Sequence, residues 1–211
     1  MSRLLPLFPL QLVAFPGEQL KLHIFEPRYR QLISECRDEG ITFGIPAYLK
    51  GGLAQYGTEM CLVEIFSTYE SGEMDVMCEG VAAFELKRFV KTVPGKLYSG
   101  GEVVTIVNDE NLDADHGDEI WDLYTKLHEV LKTGHERERP DGPNMSFVIA
   151  HEIGLSVNQR LQLLSMAREA ERQQFIVEHL RQVLPMLEAT EETKKRIRAN
   201  GHFKKLPKIE L

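Results

Sequence analysis

Cysteine is scarce and scattered in this chain. Cys36, Cys61 and Cys78 form an odd set without CxxC spacing, which suits a reducing cytosol better than a disulfide framework. Long apolar runs are absent as well. None approaches the roughly 20 residues that cross a bilayer as a helix, and no membrane partner is expected. The first residues hold Arg3, but prolines interrupt them and no small-residue cleavage pattern follows, so no secretory signal is predicted. A cytoplasmic location follows as an expectation.

The signatures of catalysis are also missing. A nucleotide loop needs GxxxxGK[ST], in which backbone amides cradle phosphate. The Gly95-Lys96 pair is followed by Leu97, and Val90 stands where the first glycine should be. His151-Glu152 could begin a zinc-protease HExxH helix, but Leu155 occupies the place of the second imidazole. Asn111, Asp113, Asp115 and Asp122 faintly echo a calcium loop. His116 replaces the glycine of the sharp turn, and the bidentate glutamate is an aspartate. Acids gathered near a helix start are explained more simply by the helix dipole. No catalytic residue, metal site or cofactor is predicted.

What remains is an ordinary globular composition: 211 residues, 43% of them hydrophobic, net charge −7. That length can bury a core unaided. Lys194, Lys195, Arg196, Arg198, Lys204, Lys205 and Lys208 lie in a stretch without acids. The body before them is therefore more acidic than the whole, and an acidic body repels phosphate backbones. The basic stretch reads as a solvated helix end and a loose tail over 201–211.

The first forty residues read strand, turn, strand, helix. Pro6 and Pro9 lack an N–H, which predicts an edge strand or extended segment over 4–10. Pro16-Gly17 is turn chemistry. Leu20, Leu22 and Ile24 alternate with Lys21 and His23, the period of a half-buried strand. Pro27 suits a first helical turn. Tyr29, Leu32, Ile33 and Cys36 then share one face, and Gly40 is placed to end the helix. A short bent strand is expected over 41–49, a loop at Gly51-Gly52, and a buried strand over 59–69. A hairpin turn follows at Ser71-Gly72, then a strand through Met74, Val76 and Cys78 that Gly80 breaks or bulges. Further strands are expected around Phe84 and Leu86 and over 102–107. Evenly spaced short strands with glycine corners suggest a small closed or partly closed barrel.

Beyond an acidic linker the period becomes helical. Ile120, Trp121, Tyr124, Leu127 and Leu131 share a face. The stretch 135–143 is expected as an exposed loop. Asn144 can cap a helix with Phe147, Val148 and Ile149. Ser156 and Gln159 have capping-box spacing for a helix whose Leu161 and Leu164 face inward. A last helix runs through Phe175, Ile176, Leu180, Val183 and Leu184, with a kink or restart at Pro185. The predicted class is α+β: a β-rich half over 1–108, then a helical half over 116–200.

The segments LPLFPL, FPG and HIFEPRYR, spanning Leu5 to Arg30, resemble the opening of the Lon protease N-terminal domain family, also met in cereblon-type proteins. Gly57-Thr58, Gly80, Tyr98, Glu102-Val103, SFVIAHEIGLSVNQRLQLLSM and EAER continue the likeness over nearly the whole chain. The resemblance implies a PUA-like β-barrel followed by a helical bundle, the substrate-recognition part of Lon without its ATPase and peptidase modules. It further implies a non-catalytic module that captures unfolded or degron-bearing polypeptides, or an adaptor to a separate protease. A PUA-like RNA-binding protein is the alternative, which the acidic body disfavours.

Glu26, Arg28, Tyr29 and Arg30 form the densest polar-aromatic cluster, and the first three are candidate peptide contacts. The structural alternative places Glu26 at a helix start and pairs Arg28 with a neighbour on the barrel. Phe43, Tyr48, Tyr56 and Tyr69 are candidates to line a peptide groove, where aromatics give much contact area at low entropy cost. Packing within strands is the competing account of each.

Overall fold

The protein is described here by a computed structural model covering residues 2–109, 116–134, 138–140 and 144–201, with side chains through residue 198. The loop expected over 135–143 lies mostly outside these residues. Asn111, Asp113, Asp115 and the tail beyond Gly201 lie wholly outside them.

Six strands form one mixed sheet: β1 (Arg3–Leu7), β2 (Gln19–Ile24), β3 (Phe43–Leu49), β4 (Gly52–Thr68), β5 (Met74–Val90) and β6 (Ser99–Thr105). Their order is β2-β5-β4-β3-β1-β6, and β6 also pairs with β5. The pairings β5-β4-β3-β1-β6 therefore return to their start, and β2 is appended outside that cycle. Leu5, Leu7, Phe84 and Val103 pack together inside it.

β1 is not an edge strand, as its prolines suggest. It lies between β3 and β6. Phe8 N–H donates to the Gly44 carbonyl of β3 at 2.8 Å. Pro6, two residues earlier, has its nitrogen on the same side. The β1–β3 register begins only at Leu7 opposite Gly44, so no donor is required at Pro6.

β4 and β5 are each 17 residues long, longer than their glycines suggest. Gly52 starts β4 instead of remaining in a loop. Gly80 lies inside β5, beside a register shift that leaves Val81 as a bulge between Ala82 opposite Glu59 and Gly80 opposite Met60. A Cβ at Gly80 would stand 2.2 Å from the Phe15 carbonyl oxygen. Gly17 N–H donates to Gly80 O at 2.8 Å, and Gly80 N–H to Glu18 O at 2.9 Å. The glycine lets the Pro16-Gly17 turn lie directly on the strand. The far end of β4 is not buried, contrary to the reading of 59–69: Val63 and Phe66 are exposed.

α1 (Pro27–Glu39) buries Tyr29, Leu32, Ile33 and Cys36, and Gly40 closes it at φ 68°, as the spacing predicts. This face packs on Ile24, Val76 and Cys78 of the sheet. The helical half comprises α2 (Gly117–Leu131), α3 (Met145–Ala150), α4 (Val157–Ser165) and α5 (Glu169–Gly201). The Ser156–Gln159 capping box is formed at α4. Asn144 makes no side-chain cap at α3; its Oδ1 instead accepts from Asn108 at 2.9 Å. Leu131 and Val148 are exposed, so the apolar faces of α2 and α3 are narrower than predicted. Pro185 sits within α5 without ending it. It lies on the solvent side, where water can satisfy the carbonyl it releases.

The two halves share one apolar cluster. Val13, Phe15, Ala47 and Ala83 pack with Ile120, Tyr124, Phe147, Leu163 and Ile176. Beside it lies a buried polar knot. Arg172, 1% exposed, donates to Glu169 at 2.6 Å, to Ser146 Oγ at 2.9 Å and to Asn108 at 2.6 Å. Its guanidinium lies 4.3 Å from the Phe147 ring centroid. This knot ties the end of the β-rich half to α3 and α5.

Candidate functional site

A cavity of about 950 Å³ opens where α1 begins. Pro27 starts that helix, so Glu26, Arg28 and Tyr29 occupy its mouth. Leu10, after β1, and Tyr48 with Leu53, at the β3–β4 hairpin, form another wall. The end of β5 contributes Phe89 and Lys91, and the approach to β6 contributes Leu97.

Glu26 does not cap α1 with its side chain. Its backbone carbonyl accepts from Tyr29 and Arg30, and its carboxylate takes Arg28 Nε at 2.8 Å and Nη2 at 2.7 Å. Arg28 therefore pairs with Glu26 and not with a neighbour on the sheet. The two-residue spacing at the helix start lets both side chains reach the same opening. The Arg28 guanidinium lies 4.5 Å from the Tyr29 ring centroid. The other side of the ring region is covered by Phe8, stacked at 3.8 Å. Burial pushes the Tyr29 phenol above its ordinary pKa, against the lowering effect of Arg28. It stays protonated and can donate at neutral pH.

Apolar wall residues reach solvent here. Tyr48 is 52% exposed, Phe89 44% and Leu97 66%. Lys91 adds an exposed ammonium. The cavity thus offers aromatic and aliphatic contact with a few charged groups at its margin, a composition suited to side chains of an extended segment.

Of the seven residues singled out from the sequence, Glu26, Arg28, Tyr29 and Tyr48 meet at this cavity. Phe43 is fully buried and packs against Phe8, so it supports the wall from behind. Tyr56 packs partly buried against the helical cluster. Tyr69 lies on the β4–β5 turn, bonded to Asp75 at 2.6 Å. Alternation along strands assigns a face, but which faces meet depends on the pairing of β1 and β5 with β6. Phe89, Lys91 and Leu97 were missed for that reason.

Other candidate chemistry resolves into structure. Glu152 accepts from Tyr124 and lies 3.4 Å from His151, and Leu155 is buried. Among the described residues, no group of three or more His, Cys, Asp or Glu side chains could hold a metal ion. No described helix is long and apolar enough to cross a membrane.

Comparison with known families places the chain. The sequence profile of the ATP-dependent protease La (LON) substrate-binding domain matches residues 4–182. The chain belongs to that family. Its fold matches a crystal structure of a Lon N-terminal domain protein from Xanthomonas campestris, with TM-score 0.65 and 27% identity over 83% of this chain and 98% of that one. The N-terminal domain of Mycobacterium avium complex Lon protease matches with TM-score 0.63, covering 84% of this chain and 98% of that one. At 14% identity, this second likeness concerns the fold alone. The LON family match covers the substrate-binding domain and includes no peptidase domain.

Proposed function

We propose that this Lon-type domain is a non-catalytic binding module that takes unfolded or degron-bearing polypeptide segments into the cavity at the start of α1. It thereby presents them for ATP-dependent proteolysis. The cycle of strand pairings is read as the small PUA-like barrel that carries this cavity, and the helices as its buttress. The observation that carries the reading is the convergence of Tyr48, Phe89 and Leu97, all exposed, with the Glu26–Arg28 pair around one opening. Exposed apolar groups gathered in a concavity mark interaction sites more often than scattered ones do.

A fluorescently labelled, permanently unfolded polypeptide titrated with the purified protein tests this. Saturable binding is expected at about micromolar Kd or weaker, the range of a small transient interface. Tyr48→Ala combined with Phe89→Ser should weaken it about tenfold, as loss of aromatic anchors does. No saturable binding by the unsubstituted protein, or binding indifferent to both substitutions, would overturn the assignment. Affinity that falls steeply with salt toward a labelled RNA, in place of the polypeptide, would favour phosphate recognition instead.

A further inference from the structure

A second exposed aromatic surface lies on the opposite side of the sheet from α1. Leu22, Ile24, Val76 and Cys78 point into the core beneath that helix. Their strand neighbours must therefore point outward. Lys21 stands opposite Met77 and His23 opposite Asp75, while Glu64 of β4 stands opposite Met77. Phe66, at a register shift between Ile65 and Ser67, joins this outer face: Lys21 Nζ lies 5.7 Å from its ring centroid. Phe25 and Tyr69 flank the His23 ring at 6.2 and 6.1 Å. Phe25 is 59% exposed, Phe66 45% and Tyr69 47%.

The Tyr69 and His23 rings are held in place. Tyr69 donates its hydroxyl to Asp75 at 2.6 Å, and His23 Nδ1 lies 2.7 Å from the same carboxylate. Aromatics already fixed on a strand face lose little freedom on contact, which favours a recognition surface. The charge around them is mostly negative. Glu64, Glu73, Asp75 and Glu79 share the region with Lys21, and Arg30 reaches the turn from the α1 side to donate to the Ser71 carbonyl. None of the aromatic residues of this face lines the cavity at α1.

We propose that this face docks a basic protein segment in which Lys or Arg alternates with apolar side chains. Its charge disfavours a phosphate backbone and an anionic bilayer alike. A second copy of the chain, related by a twofold axis, would set the same carboxylates against one another. A basic strand instead places ammonium groups on the carboxylates and apolar side chains on Phe25 and Phe66.

The test uses the full chain and two short labelled peptides, one alternating Lys with Leu and one alternating Glu with Leu. The Lys peptide should bind and weaken with salt, while the Glu peptide should not. Phe25→Ser with Phe66→Ser should reduce Lys-peptide affinity about tenfold or more, and Glu64→Lys should reduce it separately. Met186→Ser, an exposed apolar change on α5, should leave it unchanged. Absence of Lys-peptide binding, equal binding of the two peptides, or binding unchanged in both face variants would overturn the proposal. So would sedimentation of the unsubstituted protein as a dimer that the double variant dissociates. Because the cavity is untouched by these substitutions, unfolded-polypeptide binding there stands or fails independently.

Discussion

Cys36 and Cys78 lie in the core between α1 and the sheet, and burial pushes each thiol up to about 12. At neutral pH both are protonated and shielded, so neither serves as a nucleophile. Cys61 is only partly buried. Native protein treated with a thiol reagent at pH 7.5 should label at Cys61 first, with Cys36 and Cys78 reacting only on unfolding. Mass mapping of the labelled peptides checks this. Gly80 makes the other residue-scale case. Gly80→Ala would drive a Cβ into the Phe15 backbone oxygen and should destabilise by about 1–3 kcal/mol, as overpacking does. A denaturant titration measures it. The sequence signals that something bends at Gly80. That the reason is the distant Pro16-Gly17 turn lying on it is not written in local pattern.

The elements most legible in the sequence are those whose determinants are local. Pro27, the Tyr29-Leu32-Ile33-Cys36 face and Gly40 define α1 within a few residues of one another. Ser156 and Gln159 define the start of α4 in the same way. Strand lengths were less legible, because Gly52 and Gly80 look like breaks until a partner strand holds them in register. The buried knot of Arg172 was invisible for a related reason: Glu169 is a helical neighbour, but Ser146 and Asn108 are brought in by the fold. Arg172→Ala would leave the Glu169 carboxylate buried without its cation. The expected loss is about 3–5 kcal/mol, read as a lowered Tm. Arg172→Met combined with Glu169→Leu should recover part of it, since no charge is then stranded.

At the scale of the molecule, the shared apolar cluster couples sheet and helices. Phe15 stacks on Phe147 at 5.4 Å, and Val13 and Ala83 pack among helical side chains. Unfolding should accordingly be a single transition. Trp121, the one tryptophan, reports from α2, and far-UV circular dichroism reports the whole. The two melting curves should coincide. Separate midpoints would mean that the halves unfold independently. The composition at the outset made a core of this size expected, and the change of period near residue 108 marked where strands give way to helices. That the two regions interlock was beyond sequence spacing, since it rests on the short segment 13–15 reaching across.

A sheet whose strands pair in a ring leaves little backbone for a stranger to grip. Among the described residues, the unclaimed margins include the outer rim of β2, the last residues of β5, which shift register between Leu86 and Arg88, and the distal part of β4. β4 is broken there by irregularities after Leu62 and Ile65, which spoil the even ladder that an incoming strand requires. If chains of this protein ever zip together, or a foreign extended segment is stitched on through its amides, the seam will be β2.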